Sequence, residues 1–441
     1  MSMELKKYKL SEVAKVEISS VDKKTKENET LVRLCNFTDV YHNWAITKEL
    51  SDKFMVASAN SNEIEKFSIK KGQVAFTKDS ETRDDIGIPT YIADDFDNVL
   101  LGYHCALITP DESKVCGKYL NAFMHSAYIQ KYFENSASGS GQRYTLSLET
   151  IEGMPLLLPS IEKQIIIGEL FSSLDRKIAL NRAINRNLEA FANQLYDYWF
   201  VQFDFPDENG RPYKSSGGKM MWNEVLKREI PVEWEVKSVN DVSSICRGVS
   251  YKPNDLQESG VLILRGNNIE NNHVVYDNNT AYLLPDMISD EQKIKKHDII
   301  ITMSSGSKEH IGKCAMFQKD SEHSFGAFLS KITPQEKCPY FLFLYLSSLY
   351  FKQKIKSICN GTGINNLTNQ TFDEVKFAYP TKVILLSFEK SLQPIFDMIG
   401  INESEINTLT HKRDELLPLL MNGQVEVKQL NSDLSNILIL Y

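Results

Sequence analysis

His104 beside Cys105, the run GSKEHIGKC at residues 306–314, and the set Asp286, Glu291 and Lys293 are where this sequence comes closest to catalytic chemistry. A histidine can activate a cysteine nucleophile, but neighbours on an extended strand point to opposite faces, so His104 and Cys105 are expected to be a packed pair. A phosphate loop needs fixed glycine-to-lysine spacing followed by a hydroxyl for magnesium. Here the spacing is one residue too long and Cys314 replaces the hydroxyl. Two carboxylates with a lysine can hold a cation that activates water, yet Asp286, Glu291 and Lys293 are too close in sequence to lie on neighbouring strands. A solvated turn is the expectation. An amino-methyltransferase needs an Asn or Asp followed by two prolines to hold the target base, and the chain has no Pro-Pro pair. Its eight histidines form no HxxxH or HExxH, and its seven cysteines no CxxC. No metal site or disulfide framework is expected, and free thiols suit a reducing compartment.

What remains is binding chemistry. Arg143 follows Gly139 and Gly141, and the polar run 304–308 carries Ser304 and Lys308. Lys78 and Arg83 sit beside another predicted loop. In YFKQKIK (350–356), Lys352 and Lys356 lie one helical turn apart, before a glycine loop at 360–363. Each pattern also suits a solvated turn or helix face. The chain's net charge of −8 adds no general affinity for nucleic acid, so any DNA contact must come from local patches or lean on a partner's positive charge.

These loops belong to a repeat. IKKGQVAFT (69–77) lines up with IKKHDIIIT (294–302), and GYHCALITPDE (102–112) with GAFLSKITPQE (326–336). GSGQRYTLSLETIEGMPLLLP (139–159) matches GTGINNLTNQTFDEVKFAYP (361–380), and LVRLCNF (31–37) resembles ILRGNNI (263–269). Their common order and near-constant offset indicate two copies of one module, since self-similarity at a fixed period marks repeat architecture. Each copy begins with short β-like runs broken by Gly, Asn and Pro. Each ends in a stretch of helical periodicity.

In the first stretch, Leu170, Leu174, Lys177, Asn181, Ile184, Leu188, Phe191 and Leu195 alternate by four and three. In the second, Ile395, Ile399, Asn402, Ile406, Leu409, Arg413, Leu416 and Leu420 do the same. That is a coiled-coil seam, so the two helices should pair. Gly168 and Pro394 predict a break or fresh start before each seam, and Pro418 with Asn422-Gly423 predicts the end of the second helix. Lys177 and Asn181 would serve either to fix register or simply as polar groups near water. The stretch 203–220, FDFPDENGRPYKSSGGKM, has the composition of a connecting loop.

The order of module, long helix, FDFPDENGRPYKSSGGKM, IPVEWEV, module, and a helix ending RDELLPLLMNGQV resembles the DNA-specificity subunit of Type I restriction-modification systems. KKHDIIITMSSGS (295–307) adds to the match. The resemblance implies an α+β chain of two repeated mixed α/β target-recognition domains, separated by two long helices forming an antiparallel coiled coil. The expected boundaries are 1–160 and 234–380 for the domains, 161–202 and 381–427 for the helices, 203–233 for the linker and 428–441 for a tail. It further implies a non-catalytic subunit that reads a bipartite, asymmetric site in double-stranded DNA. Two modification (methyltransferase) subunits using S-adenosylmethionine, and motor-nuclease restriction subunits using ATP and magnesium, would be its partners, with no cofactor bound here directly. The N-terminus MSMELKKYKL has no secretory core, so a cytoplasmic location is expected. The alternatives are a single-chain DNA methyltransferase or nuclease with a divergent active site, and a coiled-coil scaffold without DNA function. Each seam spans residues 170–195 or 395–420, roughly 38 Å at 1.5 Å per residue. That is close to one turn of DNA and predicts an unread gap on the order of six to eight base pairs.

Overall fold

A computed structural model describes residues 4–139, 141–276, 280–335, 337–358 and 365–424. The predicted tail 428–441 and the glycine loop 360–363 lie outside the described residues. The chain divides into two compact units, one of residues 1–181 with 405–441 and one of residues 182–404.

The first unit is built on a five-stranded sheet in the order Ala14–Ile18, Cys105–Pro110, Val74–Thr77, Pro89–Ile92, Ala45–Ile46. All pairs are antiparallel except the last. Val74–Thr77 is buried along its whole length, as a strand covered on both faces must be. A second sheet sets Thr30–Cys35 between Met55–Ala59 and, in parallel, Val99–Leu101. Lys6–Lys9 pairs with Pro155–Leu158, tying the start of the module to the strand before the long helix.

The second unit repeats this plan. Ser243–Arg247, Leu329–Pro334, Ile299–Thr302 and Cys314–Met316 form the main sheet, Val261–Leu264 runs parallel to Ser324–Phe325, and Glu235–Ser238 pairs with Lys376–Tyr379. The central strands stand 225 and 224 residues from their counterparts, as the sequence repeat requires. The match of 31–37 to 263–269 is out of register. Gly102 N–H donates to the Cys35 carbonyl and Gly326 N–H to that of Leu264, so Cys35 corresponds to Leu264, at an offset of 229 rather than 232. Intervening segments of unequal length absorb the difference.

The long helices are Ile161–Tyr196, continued by a π-helical turn Asp197–Val201, and Lys382–Met421. Neither breaks at Gly168 or Pro394. Gly168 serves packing instead: a Cβ there would lie 2.7 Å from the Lys118 Cβ, so only glycine lets the helix approach Gly117–Met124 this closely. The second helix passes Pro418 and ends at Asn422-Gly423, where Gly423 takes φ +69° and Gln424 N–H bonds the Leu419 carbonyl.

Within each unit the two helices run antiparallel. In the first, Glu405 accepts from Asn181 at 2.8 Å and pairs with Lys177 at 2.5 Å, while Leu170, Leu174 and Ile178 share a core with Leu409, Leu417 and Leu420. Ile406 and Leu416 pack at its edge. Both polar positions thus meet one carboxylate of the opposite helix, a pairing that only this register allows. In the second, Asn402 donates to the Asn185 side chain at 2.7 Å, and Tyr196, Trp199 and Phe200 surround Phe388. Ile399 is buried, with Leu188, Leu195 and Ile395 against the core. Two expected seam residues fall outside the contact: Ile184 is 36% and Phe191 53% exposed, while their neighbours Asn185 and Ala192 are buried. An α-helix turns every 3.6 residues, so a strict 3.5-residue seam drifts around it, and the buried Asn185–Asn402 pair takes the place an apolar count assigns to Ile184.

Residues 203–233 are not a loose linker. Phe203, Phe205, Ile230 and Trp234 enter the core of the second unit, with Trp234 5.2 Å from Phe205. Tyr213 stacks on Phe205 at 4.6 Å, and Met220–Asn223 forms a hairpin with Arg228–Pro231. Asp204 accepts from the Ser215 amide and hydroxyl, fixing the turn that carries Gly217 at φ +88°.

Candidate nucleic-acid interface

In the first unit, Asp79–Ser80 extends beyond the central strand and pairs with Tyr144–Thr145, which pairs in turn with Ser138–Gly139. Glycine is required at 139, because a Cβ would stand 2.2 Å from the Arg143 carbonyl. This small sheet gathers three of the residues proposed for DNA contact. Arg83 is exposed, its guanidinium 5.2 Å from the Tyr144 ring centroid, and Arg143 is exposed on the same hairpin. Lys78 is different. Its ammonium binds both Asp79 oxygens at 2.8 Å and its side chain is 15% exposed, so its charge is largely spent inside the fold. His104 Nδ1 completes the cluster, 2.7 Å from Asp79. Burial pushes the Asp79 carboxyl upward, but the bonds from Lys78, Thr145 and His104 outweigh this and hold it below the usual range. Cys105 is fully buried while its neighbour His104 reaches this cluster, so the two do not form a nucleophile and base.

The second unit places different residues on the same frame. Ser304–Ser305 pairs with Asn365–Asn366, and the Ser304 hydroxyl bonds the Asn366 side chain. Asp79 corresponds to Ser304 and Thr145 to Asn366. The strands flanking the 78–88 loop keep the 225 offset on both sides, so Arg83 corresponds to Lys308, and both are exposed. Lys356 lies on the helix Leu349–Ile358, paired with Glu309 at 2.7 Å, which lowers the glutamate pKa. Its charge is engaged too.

Two exposed residues of this surface escaped the sequence reading. Phe328, the counterpart of His104, is 66% exposed, and its carbonyl accepts from Met303 and Ser304 N–H. Arg247 is exposed at the end of its strand, its Nε donating to the Ala327 carbonyl at 3.3 Å. A signal existed for Phe328, because GYHC and GAFL carry a ring at the same place in the repeat.

A separate charged group fastens this module to the helices of its own unit. His273 places Nε2 3.0 Å from Glu189 and Nδ1 2.9 Å from Glu403, one carboxylate from each long helix. The bonds to Glu189 and Glu403 raise its pKa from 6.5 to about 10. A raised folded-state pKa means that the stabilisation is fully present below pH 6.5 and is lost as pH climbs through about 10. Wild type should therefore lose unfolding free energy across that window, and His273→Ala should lose this component of the decline. Parallel pH profiles for the two proteins would contradict the pairing.

Asp286 and Glu291 lie on the short turns Pro285–Met287 and Asp290–Gln292, and Lys293 pairs with Asp290 at 2.6 Å. Among the described residues no helix is long and apolar enough to cross a membrane.

Comparison with known proteins agrees with the repeated plan. The family described as the Type I restriction modification DNA specificity domain matches residues 3–190 and again 231–411. The Type I restriction enzyme HindI specificity subunit of Haemophilus influenzae is 25% identical over 411 residues, covering 82% of this chain and 88% of that one. The StySPI specificity subunit of Salmonella potsdam is 34% identical over 214 residues, 46% of each chain. A crystal structure of the Type I restriction-modification S subunit from M. genitalium shares the fold, with a TM-score of 0.56 at 16% identity over 95% of this chain and 96% of that one. With two matched segments that together span most of its length, the chain belongs to the Type I restriction modification DNA specificity family, and its role is DNA recognition.

Proposed function

We propose that this chain is the specificity subunit of a Type I restriction-modification complex, and that its two domains read different halves of one bipartite, asymmetric DNA site. The observation that carries this reading is one frame bearing unlike chemistry at corresponding places, Asp79 against Ser304, His104 against Phe328 and Thr145 against Asn366, beside a cation common to both, Arg83 or Lys308. Equal frames suit equal docking on a duplex, and unlike side chains suit unlike bases. The paired long helices are the surface for modification subunits, taken to be two. Those subunits bring S-adenosylmethionine, and restriction subunits bring ATP and magnesium. This chain binds none of these itself and works in the cytoplasm. The partners supply much of the positive charge that a chain of net charge −8 lacks.

Co-expression with a modification subunit, followed by binding to a library of duplexes, tests the proposal. Sequence-specific binding by the complex is expected, and a complex indifferent to sequence would defeat it. Within that complex Arg83, Arg143 and Lys308 are assigned to phosphates. Each substitution by Ala should weaken all duplexes alike and lower the slope of log K against log salt by about one. Lys78 and Lys356, held by Asp79 and Glu309, should change that slope far less.

A further inference from the structure

We propose that Phe328 is a specificity-determining residue of the second domain, its ring packing against the C5-methyl group of a thymine in the major groove. The inference rests on the reading that this domain recognises a DNA half-site. The ring is 66% exposed and belongs to none of the buried cores. Its backbone, by contrast, is pinned on every side. Gly326 N–H donates to Leu264 at 2.9 Å, Leu329 N–H to Gly326 at 2.8 Å, and the Phe328 carbonyl accepts from Met303 and Ser304 at 2.9 and 3.2 Å. Gly248 is wedged against the same turn, where a Cβ would lie 2.2 Å from the Gly326 carbonyl. A large apolar ring held out on a rigid turn costs hydration and does nothing for the core, while a partner that covers it gains apolar area without having to order the backbone.

The surroundings identify the partner's chemistry. Phe328 is bonded through its backbone to Ser304, whose strand pairs with Asn366, and Arg247 holds the adjacent Ala327 carbonyl. A phenyl ring gains nothing from a phosphate. Among groove features it suits the thymine methyl, and the neighbouring Asn and Arg side chains are types that read adenine and guanine edges. A wedge between base steps would unstack the duplex instead, but the flanking hydrogen-bonding groups favour contact with base edges. In the first domain the corresponding residue is His104, bonded to Asp79, so this apolar contact is particular to one half-site.

The test uses the full chain in complex with its modification subunit and duplexes carrying its bipartite site. Each thymine of the second half-site is replaced in turn by deoxyuridine, which lacks only the methyl group. At one position wild type should bind roughly fourfold more weakly, the worth of one buried methyl-sized group. F328A should bind the thymine and deoxyuridine duplexes equally, while F328L retains part of the difference and mutations in the first half-site have unchanged effects. A wild-type complex that binds its site yet ignores every deoxyuridine overturns the assignment alone. So does F328A with undiminished sensitivity to the methyl. Failure of the complex to bind any specific site overturns the parent reading and this one together.

Discussion

Truncating Phe388 to alanine is expected to cost the second unit about 3–5 kcal/mol of stability, the range for emptying a fully enclosed aromatic site. Phe388 has no exposed surface, and the rings of Phe200, Trp199 and Tyr196 stand 4.6, 5.4 and 6.3 Å from its own. Those three rings come from the end of the first long helix, so the cavity would open where the second helix grips it. Neighbours this large do not collapse easily into a void, which places the cost toward the upper end. Phe191→Ala is the control: at 53% exposure it should shift stability by less than about 0.5 kcal/mol, as surface changes do. Denaturant unfolding followed by tryptophan fluorescence reads both, because Trp199 and Trp234 lie in the affected core. Equal losses in the two variants would show that the helix contact follows the strict seam through Phe191 and not the observed face.

The second large effect is on activity. Purified alone, the chain should neither methylate nor cut DNA with any metal or methyl donor, and methylation should appear only when a modification subunit joins it. The groups that resemble catalysts are placed so as to be inert. Cys314 is wholly enclosed, and burial pushes its thiol up to about 12, where almost no thiolate exists at neutral pH. Lys293 is occupied by Asp290 on an exposed turn, apart from a role with Asp286 or Glu291. Methyl transfer that followed the chain to homogeneity on successive columns, without a second polypeptide, would defeat this expectation.

The repeat was legible because the framework strands are buried, and buried strands tolerate little change in length: 69–77 and 102–112 find their counterparts at offsets of 225 and 224. The strand Thr30–Cys35 is hard to align because the segment that follows it, between Cys35 and Val74 in one copy and Leu264 and Ile299 in the other, differs in length, which shifts the offset from 229 to 225. In the long helices, composition pointed to Ile184 and Phe191, yet the contact runs through Asn185 and Ala192. A polar residue satisfied by its own kind across the interface is invisible to an apolar count. The stretch 203–220 read as loop from its Pro, Gly and Ser, while the aromatics Phe203, Phe205 and Tyr213 within it carried the packing. Among the basic residues, loop position was legible, but whether a charge is free was not. Asp79 and Glu309 reach Lys78 and Lys356 through adjacent and distant chain alike. A single exposed ring on a turn belongs to no stripe or strand face, so for Phe328 the one signal was the ring shared by GYHC and GAFL at the same place in the repeat.

The most direct test of two unlike reading domains is the pattern of methylation they direct. Genomic DNA from cells expressing this chain with its modification subunit, mapped by modified-base sequencing, should carry methyl groups at one motif only. That motif should have two different halves separated by a fixed unread gap on the order of six to eight base pairs, close to one turn of DNA between half-site centres. A continuous motif, a palindrome with identical halves, or a gap that varies freely from site to site would contradict the account.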